Sequence, residues 1–307
     1  MAFWRKQAEA DGWTAVLFGA GRVAVAEVVR SGPAQPRVCA FDSYAAESAE
    51  ADALRRLKNA RHLTRHRCTT LLREGEYHLL QVDAPDNAQS MARAELREAL
   101  RWRVKEMVDF PVEHAGIDIL DIPAAGSRAA QLWVAVANRD VLQPCIRRFQ
   151  DAGVPLAAID IPELAQRNLA ALFEEPNRGL ACVAFDERGG RLTVTYRGEL
   201  CMARHIDVGA PELAKPSAGA LHERVLLDIQ RSLDNFDRNN SAIHLTRLLV
   251  GPLPDGAAFI EYLRSNLSLP VASAELATVL DCTAVPQLAD VAVQADAWLA
   301  LGAALRE

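Results

Sequence analysis

No run of about 18 apolar residues occurs anywhere in the 307, so the sequence predicts no membrane-crossing helix. Its opening, MAFWRKQAEADGW, lacks the apolar core of a secretory leader, and a cytoplasmic location is expected. No two of the six cysteines stand at C-x-x-C spacing. Cys39, Cys68, Cys145, Cys182, Cys201 and Cys282 are scattered, mostly among apolar neighbours, which predicts buried thiols in a reducing compartment rather than a disulfide frame or a zinc site. His62 and His66 have helical i, i+4 spacing but lack the glutamate of H-E-x-x-H, so no metal site is expected there. There is also no dense Lys/Arg stripe: net charge is −6 and pI near 5.7, which argues against nucleic acid as a partner. The basic groups at 55–58 and 61–67 read as the solvated face of a helix and its exit loop. What is present is apolar: with 50% hydrophobic residues, the chain can bury a substantial core in two domains or one two-lobed unit.

One stretch, LFGAGRVAVAEVV at 17–29, contains G-x-G-x-x-A in Gly19, Gly21 and Ala24. A dinucleotide fold would read 15–18 and 37–41 as strands, with Asp42 placed to meet a ribose hydroxyl. It would also need a helix directly after the glycines. Residues 22–29, RVAVAEVV, are dense in β-branched valine and partly alternating, which predicts a strand and therefore a hairpin around the glycine turn.

Further along, 44–59 reads as helix, and 68–72 and 77–82 as strands around the turn Glu74-Gly75-Glu76. Residues 87–108 form one amphipathic helix on the spacing of Met91, Leu96, Leu100, Val104 and Met107, ending before Pro111. Strands at 115–122 and 131–137 follow, then a helix at 139–152 stopped by Gly153 and another at 162–173 with proline in its first turn. After the linker-like 174–179 the pattern restarts. LACVAFDERGGRLTVTYRGELCMARHI is strand, glycine turn, strand, glycine turn, strand, and its first hairpin repeats the layout of 13–29. Helices at 221–239, 257–267 and 291–305 and a strand at 245–250 complete the second half. Two halves that each open on a glycine-turn hairpin suggest a duplicated fold.

These hairpins, together with Ile159-Asp160-Ile161, the stretch ARHIDVG at 203–209, DIQRSL at 228–233 and LLVG at 248–251, resemble the PilM family, the actin-like cytoplasmic proteins of type IV pilus assembly, and among them the MSHA-pilus relative MshI. The resemblance implies an α/β, actin-like fold of ribonuclease H-like duplicated lobes with a small inserted 1C-type subdomain, as in the cell-division relative FtsA. It implies a first, 1A-like lobe at 1–86, the inserted subdomain at 87–155, a helix and linker returning to the first lobe at 156–178, and a 2A/2B-like second lobe with the C-terminal helix at 179–307.

Actin-like ATPases bind phosphates in two hairpin turns and hold Mg²⁺ through nearby carboxylates, because a triphosphate needs N–H donors and a hard cation with oxygen ligands. Aligned on the family's first turn, Leu17 stands where the aspartate belongs, Gly19 is retained, and Ala20-Gly21-Arg22 replace hydroxyl residues. In the second turn Ala184 replaces the aspartate, Asp186 the glycine, and Gly189-Gly190 small hydroxyl residues. At the adenosine side, Gly251 is followed by Pro252, which has no N–H. The resemblance thus implies a vestigial nucleotide site made of Gly19, Gly21, Arg22, Asp186, Gly189, Gly190 and Gly251, with no cofactor expected, weak binding of ATP with Mg²⁺ at most, and no catalytic residues. Restoring both acids, Leu17→Asp with Ala184→Asp, is expected to bring Mg·ATP binding back. The remaining acids Asp160, Glu163 and Asp186 read as cap or turn residues.

On function, the resemblance implies a scaffold that docks the N-terminal tail of a PilN-like inner-membrane protein, in a groove between the inserted subdomain and the first lobe, with Trp102, Ile117 and Ile119 at the contact. Membrane contact would come only through that partner, no nucleic acid is involved, and homo-oligomerisation stays open. The other readings are an active ATPase or sugar-kinase-like enzyme of the same superfold, or a GspL-like cytoplasmic component of type II secretion, for which the chain offers no membrane span.

Overall fold

The computed structural model describes residues 11–19, 21–32, 34–45, 50–61, 67–123, 130–215 and 217–307; Ala20, His62 and His66 lie outside them. The chain opens with strands β1 (Asp11–Gly19), β2 (Arg22–Arg30) and β3 (Arg37–Ala45), then helix α1 (Glu50–Arg61) and strand β4 (Arg67–Leu71). An insertion of β5 (His78–Asp83), α2 (Arg93–Arg103), β6 (Ala115–Asp121), β7 (Gln131–Asn138) and α3 (Arg139–Asp151) leads to β8 (Leu156–Asp160) and α4 (Pro162–Ala171). The second half runs through β9 (Gly179–Phe185), β10 (Gly190–Tyr196), β11 (Glu199–Ile206), α5 (Ala210–Leu213) and α6 (Gly219–Asn239). It ends with β12 (Leu245–Val250), α7 (Ala257–Asn266), β13 (Val271–Ser273) and α8 (Val291–Ala304).

Two five-stranded sheets, ordered β3-β2-β1-β4-β8 and β11-β10-β9-β12-β13, repeat one topology. Each is an antiparallel meander of three strands, extended by two strands parallel to the first. Residue 22 begins a strand and not a helix: Gly19 pairs with Arg22 across a two-residue turn in which Gly21 takes φ 70°, so the dinucleotide alternative is excluded. Alternation along β1 and β2 explains why both faces are buried. Val16, Phe18, Val23 and Val25 meet Leu54 and Leu57 of α1 and Phe149 of α3 on one side, while Trp13, Ala15, Ala26 and Val28 join the core around α8 on the other.

The alanines on that second face leave room for α8, itself rich in alanine, to lie on β1 and β2. α4 packs instead on β9, β10 and β11, and the two helices cross between the sheets. This departs from the expected segmentation, in which 156–178 returned to the first lobe and the C-terminal helix stayed with the second. Only β8 rejoins the first sheet. At the crossing, a Cβ on Gly302 would lie 2.1 Å from the carbonyl oxygen of Ala165, and Asn168 Nδ2 donates to the Gly302 carbonyl at 2.8 Å. Only glycine permits that approach.

The inserted sheet is ordered β5-β7-β6, all antiparallel. β5 and β4, read from sequence as strands around one turn, belong to different sheets, so the insertion begins before residue 87: Arg73 N–H caps on Glu76 and sends the chain out of the first sheet. The helix expected over 87–108 is shorter at both ends. Ser90 Oγ bonds the Asn87 carbonyl and closes an isolated turn there, and Arg101 donates to the Val112 and Ala115 carbonyls at 2.6 and 3.0 Å, drawing the chain back into β6. α3 stops as expected, with Gly153 at φ 65° donating to the Gln150 carbonyl.

One face of the inserted sheet lies under Leu96 and Leu100 of α2, burying Val82, Ile117, Ile119, Val134 and Val136. Ile117 and Ile119, expected at a partner contact, are therefore core: β-branched side chains on the inward register of β6, 8% and 5% exposed. The opposite face carries Leu79, Leu120 and Trp133 onto Leu200 and Ala203 of β11 and onto Ile161 and Leu164. Along the free edge of β6, Arg93 pairs with Asp121 at 2.9 Å and Arg97 with Asp118 at 3.3 Å, so charged side chains one helical turn apart blunt that edge. Among the described residues no helix is long and apolar enough to cross a membrane.

Candidate functional site: the cleft between the halves

Both glycine turns open onto one cavity of about 480 Å³ between the halves, of the size that takes a small ligand. Gly19 and Arg22 reach it from the first turn, Asp186, Glu187 and Arg188 from the second, and Pro252 from the end of β12. Leu17 and Ala184, the positions without the expected acids, line it as well.

The second turn is satisfied internally. Asp186 Oδ1 accepts the main-chain N–H groups of Arg188 and Gly189 at 2.8 and 3.1 Å, so a carboxylate of the protein holds donors that would otherwise be offered to an anion. Arg22 donates to Ser43 Oγ at 3.2 and 2.9 Å and reaches Asp296 of α8 at 3.4 Å, an exposed pair of little energetic weight. The N–H of Gly251 is committed to the Val183 carbonyl at 2.7 Å.

Of the residues expected in the vestigial site, Gly19, Arg22 and Asp186 face the cavity, whereas Gly21, Gly189, Gly190 and Gly251 do not line it. Packing accounts for the last three. A Cβ on Gly189 would fall 2.5 Å from the His205 ring, on Gly190 2.4 Å from the Phe185 ring, and on Gly251 2.7 Å from Ala184 Cβ. The three remaining acids are all engaged: Asp186 caps its turn, Asp160 pairs with Arg306 and accepts the Ile161 N–H, and Glu163 accepts the Tyr77 hydroxyl at 2.6 Å. Burial, and then the neighbouring Glu163 carboxylate, push the Tyr77 phenol well above its ordinary range. Among the described residues no cluster of three or more His, Cys, Asp or Glu could hold a metal ion.

The sequence pointed to neither Arg191 nor the links across the cleft. Arg191 lines the cavity from β10, and its only cue is a cation in an otherwise apolar or hydroxyl strand, GRLTVTY. His205 of β11 meets Glu74 Oε1 at 2.6 Å and Asp207 Oδ1 at 3.1 Å, joining the segment before β5 to the second half.

Two duplicated sheets, two helices crossed between them and a cleft lined by paired hairpin turns define an actin-like fold, with an additional sheet inserted in the first half. The comparisons agree. A solved PilM–PilN type IV pilus biogenesis complex matches with a TM-score of 0.73 over 98% of this chain and 98% of that chain, at 19% identity. A Bacteroides thetaiotaomicron protein with an actin-like ATPase fold and unknown function matches at 0.50, covering 94% of this chain and all of that one, at 8% identity. The cytoplasmic domain of EpsL, from the type II secretion system of Vibrio cholerae, is a slighter likeness at 0.45, covering 66% and 73% at 14% identity. No protein-family model and no curated protein matches the chain.

Proposed function

We propose that this chain is a cytoplasmic scaffold of type IV pilus biogenesis, of the MSHA type, that docks the N-terminal tail of a PilN-like inner-membrane protein and does not hydrolyse ATP. The observation that carries the reading is the likeness to the PilM–PilN complex over nearly the whole length of both chains, the inserted sheet included. The cleft supports it: the carboxylate positions are Leu17 and Ala184, the second turn is capped by Asp186, and Pro252 has no donor to offer. A binding role for the inserted subdomain fits its exposed surface, which includes Trp102 on α2, 60% exposed, and Met107 a few residues after that helix, also exposed. Membrane association then runs through the partner alone.

The test pairs two measurements. A synthetic peptide of the partner's N-terminal tail should bind with roughly micromolar affinity, since a few buried anchors are offset by ordering costs, and Trp102→Ala should weaken it. Steady phosphate release from Mg·ATP by the purified protein would refute the non-catalytic half of the reading; absence of peptide binding would refute the docking half.

A further inference from the structure

We infer that the cleft is an oxyanion site built on Arg191, taking a phosphate-type group without magnesium. This rests on the reading that Mg·nucleotide no longer occupies the cleft, and it assigns the space a different ligand chemistry.

Arg191 is 8% exposed and lines the cavity. Its guanidinium donates no hydrogen bond to any described residue: the nearest acid, Glu163, stands 4.0 Å from Nε, and that carboxylate already accepts the Tyr77 hydroxyl. The neighbouring cations differ. Arg22 is bonded to Ser43, and Arg73 to Glu50 at 2.9 Å. The guanidinium borders the cavity, and its planar fork matches two oxygens of a phosphate or similar anion.

Register adds an independent argument. Arg191 stands directly opposite Ala184 across β10 and β9. At a position where a carboxylate would hold a cation, this chain has a methyl group facing an arginine, and of the acids that line the cavity Glu74 pairs with His205, Asp296 with Arg22 and Asp186 with the N–H groups of its own turn, leaving Glu187 next to Arg188 in sequence. With the turn's N–H donors taken by Asp186, side-chain cations must supply the recognition; Arg188, at the same end of the cavity, adds charge for a multiply charged ligand.

Isothermal titration of the full chain with sodium pyrophosphate, in EDTA, tests this. Saturable one-site binding is expected, competed by inorganic phosphate, and weakened at least about tenfold in Arg191→Gln. Arg93→Gln, on the far edge of the inserted sheet, should bind as the parent does. If Arg191→Gln does not fold, Ala184→Asp serves instead, because its carboxylate would neutralise Arg191 from across the strands and abolish binding. No saturable binding by the parent protein below roughly 10 mM, or undiminished binding in whichever variant folds, overturns the inference. Binding that appears only as Mg·ATP overturns the inference, and with steady phosphate release it overturns the non-catalytic reading as well. Failure with pyrophosphate and Mg·ATP alike removes the inference alone, and peptide docking is decided by its own titration.

Discussion

The indole Nε1 of Trp133 donates a 2.9 Å hydrogen bond to the main-chain carbonyl of Leu200, joining the middle strand of the inserted sheet to the edge strand of the second half. Both groups are buried, so the bond has no water to fall back on.

Trp133→Phe keeps most of the ring contact but leaves the Leu200 carbonyl unpaired, and should cost about 1–2 kcal/mol. Trp133→Ala also removes the ring from among Leu79, Leu164 and Leu200, and should cost about 3–5 kcal/mol. Urea unfolding monitored by circular dichroism checks both, and a Trp133→Phe variant as stable as the parent would mean the hydrogen bond adds nothing.

Gly302→Ala inverts an ordinary expectation. In an exposed helix the change would gain about 1 kcal/mol. Here the new methyl would meet backbone of Ala165, and α4 and α8 must separate, so a loss of about 1–3 kcal/mol or more is expected. Gly219→Ala, at the start of α6, would place its methyl with nothing within 4 Å and should be neutral or mildly stabilising; urea unfolding of the two variants checks the contrast.

Alkaline stability follows from the thiols. Burial pushes Cys68, Cys182 and Cys201 up to about 12. Below about pH 8.5 folded and unfolded chains both keep these protons, and the full contribution is present. Above it the unfolded thiols ionise while the folded ones do not, so stability falls as pH rises toward the folded values, by about 1.4 kcal/mol per pH unit for each thiol. Unfolding free energies between pH 7 and 10 under reducing conditions should show this slope, and Cys182→Ser should remove one thiol's share. In the native protein the half-buried Cys39 and Cys282 should label before these three.

Asp186→Ala should cost about 1 kcal/mol by freeing the Arg188 and Gly189 N–H groups, whereas Asp186→Asn, which keeps an acceptor oxygen in place, should stay within about 0.5 kcal/mol of the parent. Chemical denaturation separates the two; equal values would mean that the cap is not what holds the turn.

Leu17→Asp with Ala184→Asp was the sequence-based route back to Mg·ATP. Because Arg191 faces position 184, the new carboxylate should pair with the guanidinium instead, and calorimetry should still find no Mg·ATP binding. Tight binding in this variant would show that Arg191 can turn aside.

Local patterns carried much of the fold. Valine alternation after Gly21 specified β2, and Gly153 specified the end of α3, because both depend on a few consecutive residues. Pairing between distant segments was not legible. Nothing near β5 says that it joins β7 rather than following β4 in the first sheet, and the apolar spacing over 87–108 could not reveal that Arg101 would be pinned to the Val112 and Ala115 carbonyls. The turns of the site were visible as glycine motifs, yet their chemistry was not: Gly189 and Gly190 are set by the rings of His205 and Phe185. Ile117 and Ile119 had the same apolar character whether they faced a partner or a core, and only the placement of α2 decides between them.

The inserted sheet and the segment before it are tied to the rest of the molecule at several points: Trp133 to Leu200, Tyr77 to Glu163 on α4 and Glu74 to His205, while Asn168 and Gly302 clamp the crossing of α4 and α8 beneath them. In mechanical terms these are parallel tethers across what would otherwise be a pivot. A pull on the inserted sheet reaches the second half through all of them at once instead of being spent in rotation about the crossed helices. Rotation of one half against the other would therefore have to break these contacts together.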